Sequence, residues 1–168
     1  MNYLLIGKPN VGKSSIFNLL ISSNQNITHK DSGTTRDWHK GYINGSSSYI
    51  FDTPGVFFDE NKKVNLSNLI INKIEKIDIH SFLYVIDYKD GFNEIDKFRI
   101  NILRKYNKEI ILIINKFDNI KLIQNKEILK YGIKKIVYIS CSHNYGLDNL
   151  KSLLNLEFDI PRNENYDY

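Results

Sequence analysis

The sequence predicts a three-layer α/β fold: a mostly parallel six-stranded sheet with one antiparallel edge strand and helices on both faces. Three observations predict it. Short continuous apolar runs alternate with segments of helical period, the pattern of strands buried on both sides and the helices that cover them. One pair of runs flanks Asn44-Gly45, a strong hairpin signal that supplies the antiparallel edge. Polar motifs follow the runs that end at Ile6, Phe51, Ile114 and Ile139, and ligands of such sheets sit at the carboxyl ends of the strands.

In chain order, residues 3–6 read as the first strand and 13–22 as the first helix, with Ile16, Leu19 and Leu20 at helical spacing. Residues 23–38 are rich in Ser, Asn, Thr and Gly and read as a long functional loop centred on Asp31-Ser32-Gly33-Thr34-Thr35-Arg36-Asp37. The hairpin joins Gly41–Ile43 to Ser48–Phe51, and Asp52-Thr53-Pro54-Gly55 follows. A second exposed loop covers 56–63. Asn65–Ile77 reads as a helix with Leu66, Leu69, Ile70 and Ile74 on one face. Residues 82–87 are a buried strand, Gly91 a break, and Asn93–Tyr106 a helix. The most apolar strand, 110–114, leads into Asn115-Lys116-Phe117-Asp118. A short helix over 121–130 and a strand over 135–139 precede Ser140-Cys141-Ser142, and Leu147–Leu156 is the last helix. Residues 1–157 form one domain. Residues 158–168 are polar, contain Pro161, and read as a flexible tail or linker.

Composition narrows the class. A chain of 168 residues with 42% hydrophobic and 25% charged content suits one globular domain with a sizeable core, not a disordered segment. The net charge of +4 is compatible with a ribonucleoprotein partner and equally with a surface excess of lysine. A single cysteine, Cys141, permits no internal disulfide and fits a reducing, cytoplasmic compartment. No apolar stretch is long enough to span a bilayer, and no signal peptide is recognisable. The four histidines lack metal-ligand spacing. Trp38 and Phe57-Phe58 stand on loops and suit either a partner surface or local packing. The domain is expected to be monomeric.

Gly7-Lys8-Pro9-Asn10-Val11-Gly12-Lys13-Ser14 is a phosphate-binding loop pattern between a strand and a helix. Its glycines let backbone N–H groups converge on oxyanions, and the helix points its positive end at them. Asn10, Val11, Gly12, Lys13, Ser14 and Ser15 therefore form the expected phosphate cradle. Lys13 reaches the β- and γ-phosphates and the Ser14 hydroxyl suits Mg²⁺.

Asn115-Lys116-x-Asp118 selects the base. Guanine offers N1–H and N2–H₂ donors together, a pair that one carboxylate accepts and adenine lacks. Asp118 would be left unpaired by the wrong base, at a high cost in a desolvated pocket. The Asn115 amide can tie the base to neighbouring loops and the Lys116 stem can lie over its plane. Ser140, Cys141 and Ser142 close the pocket, with a backbone N–H near Cys141 placed for guanine O6. The ligand is thus GTP or GDP.

The ordered set Gly7–Ser14, Thr35, Asp52-x-x-Gly55, Asn115-Lys116-x-Asp118 and Ser140-Cys141 resembles the GTPase (G) domains of the translation-factor class of P-loop GTPases. Gly33-x-Thr35-Arg36-Asp37 and Asp52-Thr53-Pro54-Gly55-Val56 are similar to the Era/EngA/MnmE branch. The ending Ser140-x-x-His143-x-x-Gly146-Leu147 is most similar to the first G domain of the EngA (Der) family. The resemblance covers the chain to about residue 157. EngA proteins carry two G domains in tandem and then a KH-like domain.

That resemblance implies a GTP-hydrolysing switch whose partner is the ribosome or ribosomal RNA. It implies Mg²⁺ held by Ser14 and, in the GTP state, Thr35, with Asp52 acting through a water. The Gly55 N–H would sense the γ-phosphate. It also implies a K⁺ ion held by Asn10 and by carbonyls near His29 and Asp31, which makes Asn10, Lys13, Thr35 and Gly55 the catalytic set. Val56 stands where related enzymes carry a water-positioning glutamine. Two alternatives therefore stay open: a G domain serving tRNA modification, as in MnmE, and a guanine-nucleotide-binding module with negligible hydrolysis.

Overall fold

The computed structural model describes residues 1–21, 38–53, 74–118, 126–154 and 156. Six strands form one sheet: β1 (Asn2–Gly7), β2 (His39–Tyr42), β3 (Tyr49–Asp52), β4 (Ser81–Asp87), β5 (Glu109–Asn115) and β6 (Lys135–Tyr138). Their spatial order is β2-β3-β1-β4-β5-β6. Only the β2–β3 pair is antiparallel. The expected architecture is therefore present, edge strand included.

Successive side chains of a strand point to opposite faces, and here both faces are apolar. Tyr3, Leu5, Leu83, Val85, Ile111 and Ile113 belong to one core. Helix α1 (Lys13–Leu20) covers it with Ile16, Phe17 and Leu20, and α4 (Leu147–Leu153) with Leu150. Leu4, Ile6, Phe82, Tyr84, Ile86, Leu112 and Ile114 belong to the other core. Helix α2 (Glu94–Arg104) covers that face with Ile100 and Leu103, and α3 (Lys126–Lys130) with Ile128. Trp38 packs against this second core, which favours local packing over a partner surface for that residue.

Helix α2 starts where the sequence predicts. Asn93 Oδ1 accepts from the N–H groups of Ile95 at 3.1 Å and Asp96 at 3.2 Å, while Asp96 Oδ2 accepts from Asn93 N–H at 3.1 Å. This reciprocal cap satisfies donors that a helix start leaves orphaned.

Boundaries differ where a long-range pairing intervenes. Helix α1 stops at Leu20, two residues early, because Ile21 turns extended and bridges Ile43, and Asn44 N–H donates to Leu20 O at 2.8 Å. Strand β2 begins at His39, because His39 and Lys40 extend the ladder opposite Asp52 and Phe51. Ile43 falls outside β2, in the isolated bridge with Ile21, and its N–H donates to Ser48 O at 2.9 Å across the turn at Asn44-Gly45. Helix α4 ends at Leu153 rather than Leu156. Of the helices expected over 65–77 and 121–130, residues 74–76 and Lys126–Lys130 are described and helical. The first of these helices ends at Lys76, with Ile77 already in a bend; residues 65–73 and 121–125, most of the 23–38 loop, the 56–63 loop and the 158–168 tail lie outside the described residues.

Candidate functional site

The site is built at the carboxyl ends of the strands. After β1 the chain turns through two left-handed residues, Asn10 at φ 64° and Gly12 at φ 95°. Gly12 then opens α1 with no side-chain cap, and the first turn of that helix carries no acidic residue. The helix start keeps its N–H donors and its positive end for something else, the arrangement that suits an oxyanion.

Lys13 is buried, at 6% exposure. Its ammonium folds back onto the loop, donating to Lys8 O at 2.9 Å and Gly7 O at 3.2 Å. Burial lowers its pKa; the Asp52 carboxylate opposes that shift and the Arg99 charge adds to it. A partly desolvated cation whose hydrogen bonds go to the carbonyls of Gly7 and Lys8 is poised to gain from a polyanion.

Beside it, the Ser14 hydroxyl donates to Asp52 Oδ2 at 2.7 Å. Asp52 ends β3 and is 5% exposed, and among the described residues its Oδ1 has no hydrogen-bond partner. Burial pushes the Asp52 carboxyl up, against the Ser14 hydrogen bond and the charges of Lys13 and His39. Unpaired buried carboxylate oxygens are rare and want an explanation. A hydroxyl and a carboxylate held side by side, all oxygen, fit a hard divalent cation such as Mg²⁺. Thr53 is pinned inward by donating to Leu5 O at 2.7 Å.

The second half of the site follows β5. Asn115 is 2% exposed, and its Nδ2 donates to Val11 O at 2.8 Å. This bond joins the phosphate loop to the strand that precedes Asp118. Lys116 adopts a left-handed conformation at φ 60°. Phe117 is buried against Tyr88 and Tyr138, at ring-centroid distances of 5.0 Å and 5.1 Å, and its N–H donates to Ile139 O. With Phe117 anchored inward, Asp118 faces solvent. Its Oδ1 accepts from Ser140 Oγ at 2.7 Å, and Ser142 Oγ lies 3.5 Å away. Cys141 is half-buried, and burial pushes its thiol up, away from the reactive thiolate.

Strands β1 and β5 are separated only by β4, so their ends lie two strand spacings apart, ~10 Å, the scale of one nucleotide. The described fold thus gathers Val11, Gly12, Lys13, Ser14, Asp52, Asn115, Lys116, Asp118, Ser140, Cys141 and Ser142 at one edge. Asn10 and Ser15 are exposed at the same loop. Thr35, Gly55, Val56, His29 and Asp31 lie outside the described residues.

Two partners were not foreseen. Asp87 closes β4 and sits 2.7 Å from the Lys116 ammonium. Asp96, fully buried on α2, accepts from Tyr84 Oη at 2.9 Å and lies 3.7 Å from the ammonium of Lys8 in the phosphate loop. The sequence did carry one signal for Asp87: an acid that ends an apolar strand at the ligand edge.

The profile of the 50S ribosome-binding GTPase family matches residues 2–116. GTPase Der of Campylobacter jejuni (strain RM1221) is 36% identical over 168 residues, covering 96% of this chain and 36% of that protein. GTPase Der of Rickettsia prowazekii (strain Madrid E) is 35% identical over 167 residues, covering 95% of this chain and 36% of that protein. The chain spans about a third of the length of these curated relatives. Among solved structures, Era in complex with MgGDPNP and nucleotides 1506-1542 of 16S ribosomal RNA aligns with a TM-score of 0.65 and 29% identity, over 91% of this chain and 55% of that one. The fold is also that of a probable GTP-binding protein engB, with a TM-score of 0.67 and 23% identity over 92% of this chain and 96% of that one.

Proposed function

Because the chain belongs to the 50S ribosome-binding GTPase family, we propose that it binds GTP with Mg²⁺ and hydrolyses it to GDP and phosphate as a conformational switch in ribosome assembly. The observation that carries the reading is the Asn115–Val11 hydrogen bond. It ties the phosphate loop to the segment that presents Asp118, so one ligand can engage both. The ribosomal output is supported by the Der relatives and by the Era structure with 16S ribosomal RNA.

We assign the residue roles from the described geometry and, for Thr35 and Gly55, from the sequence pattern. The N–H groups of Asn10–Ser15 and the start of α1 take the β-phosphate. Lys13 leaves the carbonyls of Gly7 and Lys8 and neutralises charge on the β- and γ-oxygens. Ser14 and, in the GTP state, Thr35 would hold Mg²⁺, with Asp52 acting through a water. The bound ion supplies charge neutralisation on the transferring phosphoryl group. Asp118 takes the guanine edge, steadied by Ser140. Gly55 N–H is assigned to the γ-phosphate. Asn10 is exposed on the loop and is assigned to a K⁺ ion, where a monovalent cation would offset charge that develops during transfer.

Single-turnover phosphate release with excess protein tests the whole reading. GTP is expected to be bound and cleaved in preference to ATP. The rate in K⁺ is expected to exceed that in Na⁺ at matched ionic strength by about tenfold, equivalent to ~1.4 kcal/mol. Equal rates remove Asn10 from the mechanism. No release in either salt, with GTP bound, leaves a binding module. A preference for ATP overturns the assignment.

Asp52 also carries a stability prediction. Its folded pKa is raised, so the folded state binds this proton more tightly than the unfolded one. This group therefore favours folding at acid pH and loses that contribution as pH rises through the carboxyl range. At neutral pH the buried charge is a cost. Asp52→Asn is expected to raise the melting midpoint of the nucleotide-free protein by about 2–4 °C. The same change should abolish the Mg²⁺-dependent gain in GTP affinity. Differential scanning fluorimetry with and without Mg²⁺ and GTP reads both, and an unstable apo variant would contradict the account.

A further inference from the structure

We propose that Asp87 is a positioning residue for nucleotide binding: it holds the Lys116 side chain in place as a preformed floor for the guanine ring. The inference rests on the guanine reading given above and deepens it.

The strand ladder places Asp87 before any ligand arrives. Asp87 pairs in register with Asn115 across β4 and β5, and Tyr88 N–H donates to Asn115 O at 2.8 Å. The carboxylate is then fixed by both oxygens. Oδ1 accepts from Lys89 N–H at 2.9 Å, and Oδ2 lies 2.7 Å from Lys116 Nζ. The Asp87 side chain is 13% exposed and that of Lys116 42%. Burial alone raises the Asp87 carboxyl, but the hydrogen bonds and charges of Lys116 and Lys89 together outweigh it and leave the carboxyl below its usual value. The acid is thus ionised and committed to Lys116 across the neutral range.

A free lysine has four rotatable side-chain bonds, and ordering them costs entropy when a ligand binds. Here the backbone of Lys116 is already in the left-handed region, at φ 60°, and its ammonium is already tethered. The ligand meets an apolar four-carbon stem in one conformation. Ordering completed during folding is not charged to binding, so affinity rises through slower release. An ion pair with one partner this exposed adds little to stability, so its use is placement of the stem rather than support of the fold.

The test is the dissociation rate of fluorescent GDP from four proteins: the parent chain, Asp87→Asn, Lys116→Met, and the double variant. Asp87→Asn retains the size and the acceptor for Lys89 N–H. It is expected to speed GDP release about five- to tenfold, the size of one lost charged hydrogen bond acting through a neighbour. Its apo melting midpoint should stay near that of the parent. In the Lys116→Met background the same change should have no further effect, because the side chain it tethers has gone. A parent-like release rate in Asp87→Asn overturns the proposal. So does an equal acceleration in both backgrounds, since Asp87 would then act by some route other than Lys116. A large loss of apo stability with unchanged release would make Asp87 merely structural. Asp118→Asn, assayed alongside, separates the two levels: if it fails to change base preference, the guanine reading falls, whereas its success with a silent Asp87→Asn removes only the tether.

Discussion

Asp118→Asn is expected to exchange a preference for guanine nucleotides for one for xanthine nucleotides. The carboxylate accepts from both donors on the guanine edge. An amide offers one acceptor and one donor, which matches the N1–H and C2 carbonyl of xanthine. With guanine the amide N–H₂ would face the N2–H₂ group, donor against donor. Loss of GDP affinity should reach about 10²-fold or more, ~3 kcal/mol. The surroundings tolerate the change. Ser140 Oγ donates to Asp118 Oδ1 at 2.7 Å, and an asparagine carbonyl oxygen accepts that bond equally well. Titration calorimetry with GDP and XDP measures both sides of the exchange. Undiminished GDP binding would remove Asp118 from base recognition.

Gly12→Ala is expected to empty the site altogether. A Cβ built at Gly12 would stand 2.2 Å from Asn115 Nδ2, and the residue sits at φ 95°. The new methyl meets both objections at once. It forces Asn115 off Val11 O, breaking the bond that links the two halves of the pocket, and it places a side chain in a backbone region that disfavours one. Asn115 is buried, and among the described residues its Oδ1 has no hydrogen-bond partner, so losing the Val11 bond as well leaves a poorly satisfied buried amide. Nucleotide affinity should drop about 10³-fold or more, with ~1–3 kcal/mol of backbone strain in the folded protein. Equilibrium dialysis with labelled GDP checks the first figure and urea unfolding the second. Near-parent affinity would show that the loop accommodates the methyl.

Much of this was legible because each signal was local. Ile110–Ile114 read as a buried strand, and Ile111–Ile114 are buried on both its faces. Gly7–Ser14 carried its own turn, cation and hydroxyl in eight residues, and the break at Gly91 preceded a helix read from Asn93. What stayed hidden depends on distant partners. Nothing near Leu20 signals that Ile21 leaves the helix for Ile43. The buried, half-satisfied state of Asp52 needs β1 and β3 side by side. The Lys116–Asp87 pair joins residues 29 apart in sequence, and no pattern rule predicts which lysine an acid at the end of a strand will meet. Thr35, Gly55 and Val56 lie outside the described residues.

The contact between Asn115 and Val11 spans 104 positions of chain, and it sets how the empty protein breathes. Neither the loop after β1 nor the segment after β5 can swing out while that one amide is satisfied. Local opening at the two places is therefore a single concerted fluctuation, and backbone amides on either side of it should trade their protons for deuterons at a common rate.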